Sequence, residues 1–310
     1  MLIAGKAFVA MLGAVETILC DGSHGAGRWF EMTYLKKRRM NNNDKVKESP
    51  LSAAVAMRDV DILTVVKDAI NHRDVVMAYQ PVMQARKPHG AAFYEGLIRV
   101  LDDTGRIIPA REFMGRVADT ELGRELDCIS LDLGLQTLSQ NPNIRLSINM
   151  SARSIGYDKW HRTLERHLKR DKALGDRLIV EIIEKTTMAV PELVTDFMDR
   201  LQPRGIAFAL DEFGADLTYI RHLRDFFFDA VKIHGAYVRG ISQSPDNQAA
   251  VRALSAIARE FDMFVVATSV EKIEDAEFMT LQGVDCLQGY LFGAPSVRPP
   301  WKEKDRQKSA

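Results

Sequence analysis

Hydrophobic residues follow two patterns along residues 60–290: short β-branched runs and longer stretches with helical spacing. In the first stretch they recur every three to four residues, which predicts a lead-in helix over 60–70. Two apolar runs follow at 75–82 and 91–100, separated by turn-forming residues at 87–90, and predict a β-hairpin. The patterned part of the chain therefore opens with a helix and a hairpin.

Beyond the hairpin, predicted helices and strands alternate. The spacing predicts helices over 110–117, 122–138, 160–169, 191–202, 217–224, 247–260 and 273–281. The β-branched runs predict strands at 146–150, 178–182, 207–210, 230–233, 263–267 and around Cys286. Repeated strand-then-helix units predict a parallel sheet, either open or closed into a barrel.

Polar residues near the ends of these strands distinguish an open sheet from a closed barrel. Residues 209–214 read ALDEFG, so two acids, Asp211 and Glu212, end an apolar run. Alone, such a pair would be a helix cap or a solvated turn. Other strands also carry polar groups, and Lys232 and His234, two positions apart, share one face of a strand. With no glycine-rich phosphate motif after the first strand, this pattern favours a (β/α) barrel over a dinucleotide-binding fold.

Composition narrows the functional classes. The chain has 310 residues with 42 basic and 42 acidic side chains, so no net field favours a DNA or RNA polymer or an anionic membrane. Its length suits one barrel of about 250 residues plus an extension. The cysteines Cys20, Cys128 and Cys286 are far apart and lack metal-ligand spacing, so we expect reduced thiols in a cytoplasmic protein.

The termini differ in character from the middle of the chain. Lys6 and Glu16 interrupt the apolar residues 1–20, so neither a membrane span nor a signal peptide is expected. Residues 36–39 are basic and favour a solvated linker, with a phosphate or membrane contact as the alternative. Translation starting at Met32 or Met40 is a further alternative. We expect an extension over 1–58, a barrel domain over 59–297 and a charged tail over 298–310.

Seven short segments, taken in order, resemble one family. They read YQP at 79–81, EGLIR at 95–99, LSINMSAR at 146–153, EIIE at 181–184, LDEFG at 210–214, VKI at 231–233 and QGYLFG at 288–293. These are similar to the motifs of the EAL-domain family, which comprises phosphodiesterases and receptors for cyclic di-GMP. The resemblance implies a TIM-like (β/α) barrel whose first strand is antiparallel to the others, a pair of Mg²⁺ or Mn²⁺ ions, and a homodimer.

The resemblance also implies roles for individual residues. Residues of four strands would hold the first metal: Glu95, Asn149, Glu181 and Asp211. Asp211 would bridge to a second metal that Glu212 also contacts. Lys232 would lie beside the nucleophilic water, with Glu184 and Gln288 in support. The nucleotide would contact Gln80, Leu97, Arg99 and Pro295, and the aromatic rings of Phe213 and Tyr290 would pack either near a guanine or in the core.

Several positions depart from the family pattern. Thr268 stands where the family has a glutamate ligand of the second metal, and Glu212 is one methylene longer than the usual aspartate. His234 replaces an aspartate, where it would be a nitrogen ligand, a repelling cation or an ordinary core or rim residue. The loop at 215–218 also differs. Because cation affinity depends on ligand charge and number, we expect the first metal site to persist and the second to be weakened.

Three functional hypotheses follow. The first is a cyclic di-GMP receptor of the EAL family with weak or lost phosphodiesterase activity. The second is an active metal-dependent phosphodiesterase that gives linear pGpG. The third is a protein-interaction module that binds no nucleotide; under any of them, regulation would come from residues 1–58, from dimerisation or from a protein partner.

Overall fold

The computed structural model describes residues 62–216, 222–299 and 301, and these form an eight-stranded barrel with one additional edge strand. The nine strands of the described residues are β1 (Val75–Gln84), β2 (Lys87–Leu101), β3 (Ile107–Pro109), β4 (Leu146–Asn149), β5 (Leu178–Ile183), β6 (Ala207–Phe213), β7 (Ala230–Ile233), β8 (Phe264–Ala267) and β9 (Cys286–Gln288). Around the barrel the order is β1-β9-β8-β7-β6-β5-β4-β2, and β2 pairs again with β1 to close it. The short strand β3 extends the sheet beside β2.

Helices fill the connections between strands. They are α1 (62–72), α2 (Met114–Val117), α3 (Glu121–Gln140), α4 (Asp158–Leu168), α5 (Glu184–Ala189), α6 (Pro191–Leu201), α7 (Gly235–Val238), α8 (Pro245–Glu260) and α9 (Ile273–Leu281). Short 3₁₀ turns lie at Ala110–Glu112, Ala152–Ser154, Lys172–Arg177, Gln202–Arg204 and Ile241–Gln243. None of the helices in the described ranges combines the length and hydrophobicity that a membrane crossing requires.

The direction of the first strand confirms the predicted fold. β1 is antiparallel to both of its neighbours, β2 and β9, whereas β2 and β4 to β9 run parallel to one another. The register pairs Gln80 with Glu95 and Val82 with Gln288. The fold is therefore a TIM-like (β/α) barrel with an antiparallel first strand, and polar residues of β1, β2 and β9 come to the same level.

The hairpin turn differs from the prediction. Residues 87–90 belong to β2, and the turn is formed by Ala85 and Arg86. The last pairs of the hairpin are Met83 with Ala91 and Gln84 with Lys87, so the three residues 88–90 bulge out of the ladder. Proline and glycine suit a bulge as well as they suit a turn, which is why their presence misplaced the turn.

Other differences are small or lie outside the described residues. Helices α5 and α7 and strand β3 were not predicted. The helix predicted over 217–224 lies partly outside the described residues, and its described part, 222–225, is a 3₁₀ turn. The predictions for residues 1–58, including Cys20, and for most of the tail also lie outside them.

The main core lies between the barrel wall and the surrounding helices. Trp160 of α4 is fully buried and packs edge-on against Phe197 of α6, whose ring in turn meets Phe208 of β6. The centroid distances are 5.3 and 5.7 Å, in the range where aromatic pairs attract. These contacts fix α4 and α6 against the middle of the parallel wall.

The segment after β9 returns along the first strand. Ser296 pairs with Tyr79 of β1 through two backbone hydrogen bonds of 2.8 and 3.1 Å. Trp301 packs edge-on against Tyr79 and Tyr94, both at 4.8 Å, and its Nε1 donates to Asn141 Oδ1 at 2.9 Å. The first residues of the predicted charged tail are thus attached to the barrel, and they hold the segment that includes Pro295 next to β1.

Candidate active site

Strand β6 ends in a β-bulge that brings two neighbouring acids to one place. In a regular strand, Asp211 and Glu212 would point to opposite faces. The β6–β7 pairing shifts between Leu210 and Phe213, and Glu212 adopts a left-handed backbone conformation with φ of 58°. Both acids consequently line the same cleft. Phe213 is fully buried in the core, so of the two uses considered for its ring the structure has the core one.

Lys232 of β7 is the centre of a buried ion cluster. Its Nζ donates to Glu95 Oε2 at 2.8 Å and to Glu181 Oε2 at 2.6 Å. The three side chains are at most 8% exposed. Asn149 Nδ2 donates to Glu95 Oε1 at 2.8 Å, so four strands meet in one hydrogen-bonded group.

The charges of this cluster shift one another's pKa. Burial alone would lower the pKa of Lys232, but the carboxylates of Asp211, Glu181 and Glu95 raise it well above its usual value. Burial and the charge of Glu95 raise the pKa of Glu181 to about 8, against the lowering effect of Lys232. Glu95 is lowered in pKa because Lys232, Gln288 and Asn149 together outweigh its burial. Because one ammonium is shared by two carboxylates, the positive charge of this group does not balance its acidic side chains.

One carboxylate oxygen of this cluster is buried without a partner. Glu181 Oε1 accepts no hydrogen bond from the described residues. Oxygen atoms of carboxylates and amides are the ligands that Mg²⁺ prefers, and Glu95 and Asn149 belong to the same hydrogen-bonded group as Glu181. Within the described residues, no group of three or more His, Cys, Asp or Glu side chains is arranged to hold a metal ion. Three of the predicted first-metal residues therefore lie together, with Lys232 joining the two carboxylates among them.

Two glutamines connect this cluster to the first strand. Gln288 Nε2 donates to Glu95 Oε2 at 2.5 Å and to Gln80 Oε1 at 3.2 Å. Gln80 Nε2 in turn donates to the backbone carbonyl of Gly293 at 3.0 Å. The segment before Pro295 is therefore linked through Gln80 and Gln288 to Glu95, a predicted metal ligand.

The positions that depart from the family pattern lie beside this cluster. Thr268 Oγ1 donates to the backbone carbonyl of Ile233 at 2.8 Å, which ties the end of β8 to the end of β7. His234 follows β7 directly, and its Nδ1 accepts the backbone N–H of Ala236 at 3.3 Å. Neither side chain supplies a carboxylate to the part of the cleft where the resemblance implies the second metal.

Two buried acids support the loops around the site. Glu184 Oε2 accepts the Gly214 N–H at 3.2 Å, and burial raises the pKa of Glu184 to about 7 against such backbone bonds. Asp127 of α3 accepts the Ser151 N–H at 3.0 Å and the Ser154 hydroxyl at 2.6 Å. Burial raises the pKa of Asp127 to about 7 against these two bonds. Asp127, which the sequence did not single out, thus fixes the turn immediately after Asn149.

The cleft has a volume of about 380 Å³. Seven of the predicted catalytic, binding and metal residues line it: Gln80, Glu95, Asp211, Glu212, Lys232, Gln288 and Pro295. Three others, Asn149, Glu181 and Glu184, do not line it. Leu97 and Arg99 share the strand face of Glu95 but do not line the cleft, and Arg99 Nη1 donates to the neighbouring Ile98 carbonyl at 2.8 Å. Tyr290, an exposed aromatic, lines it too.

Three lining residues with polar side chains had no predicted role: Arg239, Ser269 and Glu271. They lie on the loops after β7 and β8, where no periodic pattern relates them to the strand residues. A sequence signal for them is limited to their position shortly after a strand end in a barrel, where binding residues concentrate.

Comparison with known proteins identifies the family. The model of the EAL domain family matches residues 64–295, which is well over half of the chain. The chain therefore belongs to the EAL-domain family, and the resemblance inferred from the seven segments is confirmed.

Similar proteins come from cyclic di-GMP signalling. The cyclic di-GMP phosphodiesterase PdeR of Escherichia coli is 27% identical over 239 residues, which is 75% of this chain and 35% of PdeR. The chain spans about a third of the length of the curated relatives it matches. Two solved structures share the fold, each with a TM-score of 0.70: the PaMucR phosphodiesterase in complex with c-di-GMP, at 23% identity, and the FimX EAL domain from Pseudomonas aeruginosa bound to c-di-GMP, at 22%. The first alignment covers 78% of this chain and 99% of the other, and the second 76% and 97%.

Proposed function

We propose that this protein binds cyclic di-GMP in the cleft at the carboxyl ends of the barrel strands and hydrolyses it weakly or not at all. The observation that carries the proposal is the contrast between the two halves of the site. The half around Lys232 keeps three of the predicted first-metal residues, Glu95, Asn149 and Glu181, in one hydrogen-bonded group, and one buried oxygen of Glu181 has no partner there. The half around Thr268 contains a hydroxyl that is already bonded to Ile233.

The first half supports metal and nucleotide binding. Mg²⁺ or Mn²⁺ held by Glu95, Asn149, Glu181 and Asp211 would supply Lewis acidity and a bound water of lowered pKa. Lys232 holds two of these carboxylates at fixed positions, and Gln288 donates to Glu95 Oε2, the same oxygen that Lys232 contacts. These contacts pre-organise the floor of the cleft for an anionic ligand that brings or shares a cation.

The second half limits the chemistry. A two-metal site stabilises both the attacking and the leaving oxygen of a phosphodiester. With threonine in place of a carboxylate, the second cation loses a charged ligand, and Glu212 must contribute from an exposed, left-handed position. We therefore propose that recognition is retained and turnover is not. The relatives named phosphodiesterases support the class of ligand, since their matching regions carry the same domain.

An active phosphodiesterase is the second candidate. It is favoured by the intact Lys232 cluster, because the lysine beside the reacting water and both of its carboxylates are in contact. Under this alternative, the product would be the linear dinucleotide. An interaction module without nucleotide binding is the third, and any specific affinity for cyclic di-GMP would eliminate it.

Arg99→Ala tests the binding part of the proposal. Arg99 is half-buried on the strand face of Glu95, and burial and the neighbouring charge of Arg111 lower the pKa of its guanidinium against the raising effect of Glu95. A charge-assisted bond to a phosphate contributes about 1.5–3 kcal/mol, so cyclic di-GMP should bind at least about tenfold more weakly, which is about 1.4 kcal/mol. The measurement is calorimetric titration of the full chain with magnesium.

Arg145→Ala is the matched control for this experiment. Arg145 is exposed and immediately precedes β4, at the end of the barrel opposite the cleft. Its replacement should leave the dissociation constant unchanged. Equal affinity of the Arg99 variant and the wild type would mean that the nucleotide does not extend along β2.

A further inference from the structure

The ends of β7 and β8 form one border of the cleft. Besides the bond from Thr268 to Ile233, the two loops touch at Gly235, where an added Cβ would lie 2.3 Å from Ser269 Oγ and 3.3 Å from Arg239 Nη2. Ser269 itself has φ of 60°, a conformation that residues other than glycine rarely adopt. The strained serine and the obligatory glycine together bring His234, Arg239 and Ser269 to the same border.

His234 presents a donor to the cleft rather than a metal ligand. Its Nδ1 accepts the Ala236 N–H, so in the neutral imidazole the proton is on Nε2. A protonated nitrogen cannot coordinate a cation, but it can donate to an anionic oxygen. Of the three roles considered for His234, this geometry disfavours the nitrogen ligand.

Arg239 is only weakly engaged by its present neighbours. Its Nη2 donates to Ser269 Oγ at 3.4 Å, and its Nε is 3.9 Å from Glu271 Oε1. The two charged side chains are 59% and 51% exposed, and exposed ion pairs of this kind contribute about 0–1 kcal/mol. A guanidinium forms stronger, two-pronged bonds with phosphate oxygens, so a phosphodiester can replace Glu271 as its partner.

We propose that His234 and Arg239 bind one phosphodiester group of the cyclic dinucleotide directly, in place of a second metal ion. This inference rests on the proposed binding of cyclic di-GMP. With Thr268 in place of an acid, a second cation has one charged ligand fewer, and Asp211 and Glu212 are the remaining predicted acids for it in the cleft. The chain's own donors thus supply the positive potential that a second cation would bring.

The test is titration of the full chain with cyclic di-GMP in EDTA and again in magnesium. The wild type should bind in both. In EDTA, Arg239→Gln and His234→Asp should each bind at least about tenfold more weakly, because each removes a donor to the phosphate. His234→Gln, whose amide N–H can replace Nε2–H, should remain within about threefold of the wild type.

Arg252→Gln is the matched control, since Arg252 is exposed on α8 and does not line the cleft. It should bind as the wild type does. Binding of the wild type in magnesium only, or wild-type affinity of the Arg239 and His234→Asp variants in EDTA, would overturn this inference and leave the proposed function standing. No binding by the wild type in either buffer would instead reject the proposed function.

Discussion

Replacing Lys232 with methionine is expected to lower the free energy of unfolding by about 3 kcal/mol at pH 8 in the absence of metal, because removal of one partner of a buried ion pair leaves uncompensated charge. The ammonium is 3% exposed and contacts Glu95 and Glu181 at 2.8 and 2.6 Å. Methionine preserves most of the volume, so the loss reports charge rather than a cavity. The measurement is urea unfolding of the wild type and the variant in EDTA.

The loss of unfolding free energy caused by replacing Lys232 with methionine should become smaller as the pH falls. The raised pKa of Lys232 keeps it charged at any pH below its unfolded value of about 10.4, so its stabilising contribution is fully present at pH 5 and at pH 8. In the variant, the pKa of Glu181 rises further above that of an unfolded glutamate, and the pKa of Glu95 rises because it loses the lowering effect of Lys232. A carboxyl whose pKa is raised in the folded state lowers stability as pH increases. The variant therefore loses more at pH 8 than at pH 5.

Lys159→Met provides the comparison. Lys159 is half-exposed and pairs with Glu125 on the outside of the barrel, where an ion pair contributes about 0–1 kcal/mol. Its replacement should change the unfolding free energy by less than about 1 kcal/mol at both pH values. Equal losses for the two variants, or a deficit of the Lys232 variant that does not depend on pH, would contradict the buried cluster described here.

Replacing Thr268 with glutamate is expected to raise hydrolysis of cyclic di-GMP at least about tenfold in magnesium. Ligand charge and number set the affinity for hard cations, and a second cation stabilises a phosphodiester transition state by several kcal/mol, whereas a tenfold rate gain needs about 1.4 kcal/mol. Thr268 follows β8 and lines the cleft with Asp211 and Glu212. The rate of linear dinucleotide formation is the quantity to measure.

Thr268→Gln tests whether the charge of the introduced glutamate, rather than its size, raises hydrolysis. Both substitutions remove the bond to the Ile233 carbonyl, which contributes about 1 kcal/mol to stability, but only glutamate adds a negatively charged ligand for the cation. No gain with glutamine and a gain with glutamate would assign the defect to the missing acid. Equal rates for the two variants would place the defect in Glu212, in His234 or in the loop at 215–218 instead.

Strand periodicity predicted the barrel, whereas the individual site residues came from the resemblance to the EAL-domain family. Alternation along a strand puts Glu95, Leu97 and Arg99 on one face, and parallel strands bring their carboxyl ends to one edge. Periodicity and the closure of the sheet therefore explain why residues of different strands meet, but not which role each of them has. The structure accordingly brings Glu95, Asn149, Glu181 and Lys232 into contact.

Features that depend on irregular backbone conformation could not be predicted from the sequence. The bulge that turns Asp211 and Glu212 into the same cleft requires a left-handed glutamate, which no propensity favours. Arg239 lies on a loop seven positions after Lys232, and Trp301 in a charged segment packs on β1 and β2 through aromatic contacts. Because such contacts arise from tertiary packing, no residue pattern along the chain predicts them.

The central claim is that nucleotide recognition is retained without efficient hydrolysis. The most direct test is calorimetric titration of cyclic di-GMP into the full chain with magnesium, followed by chromatography of the same sample for the linear dinucleotide. We expect saturable binding and at most traces of product. Product formed at about 10 turnovers per second, a typical enzymatic rate, would contradict the claim and show that Thr268 is compatible with a working second metal site.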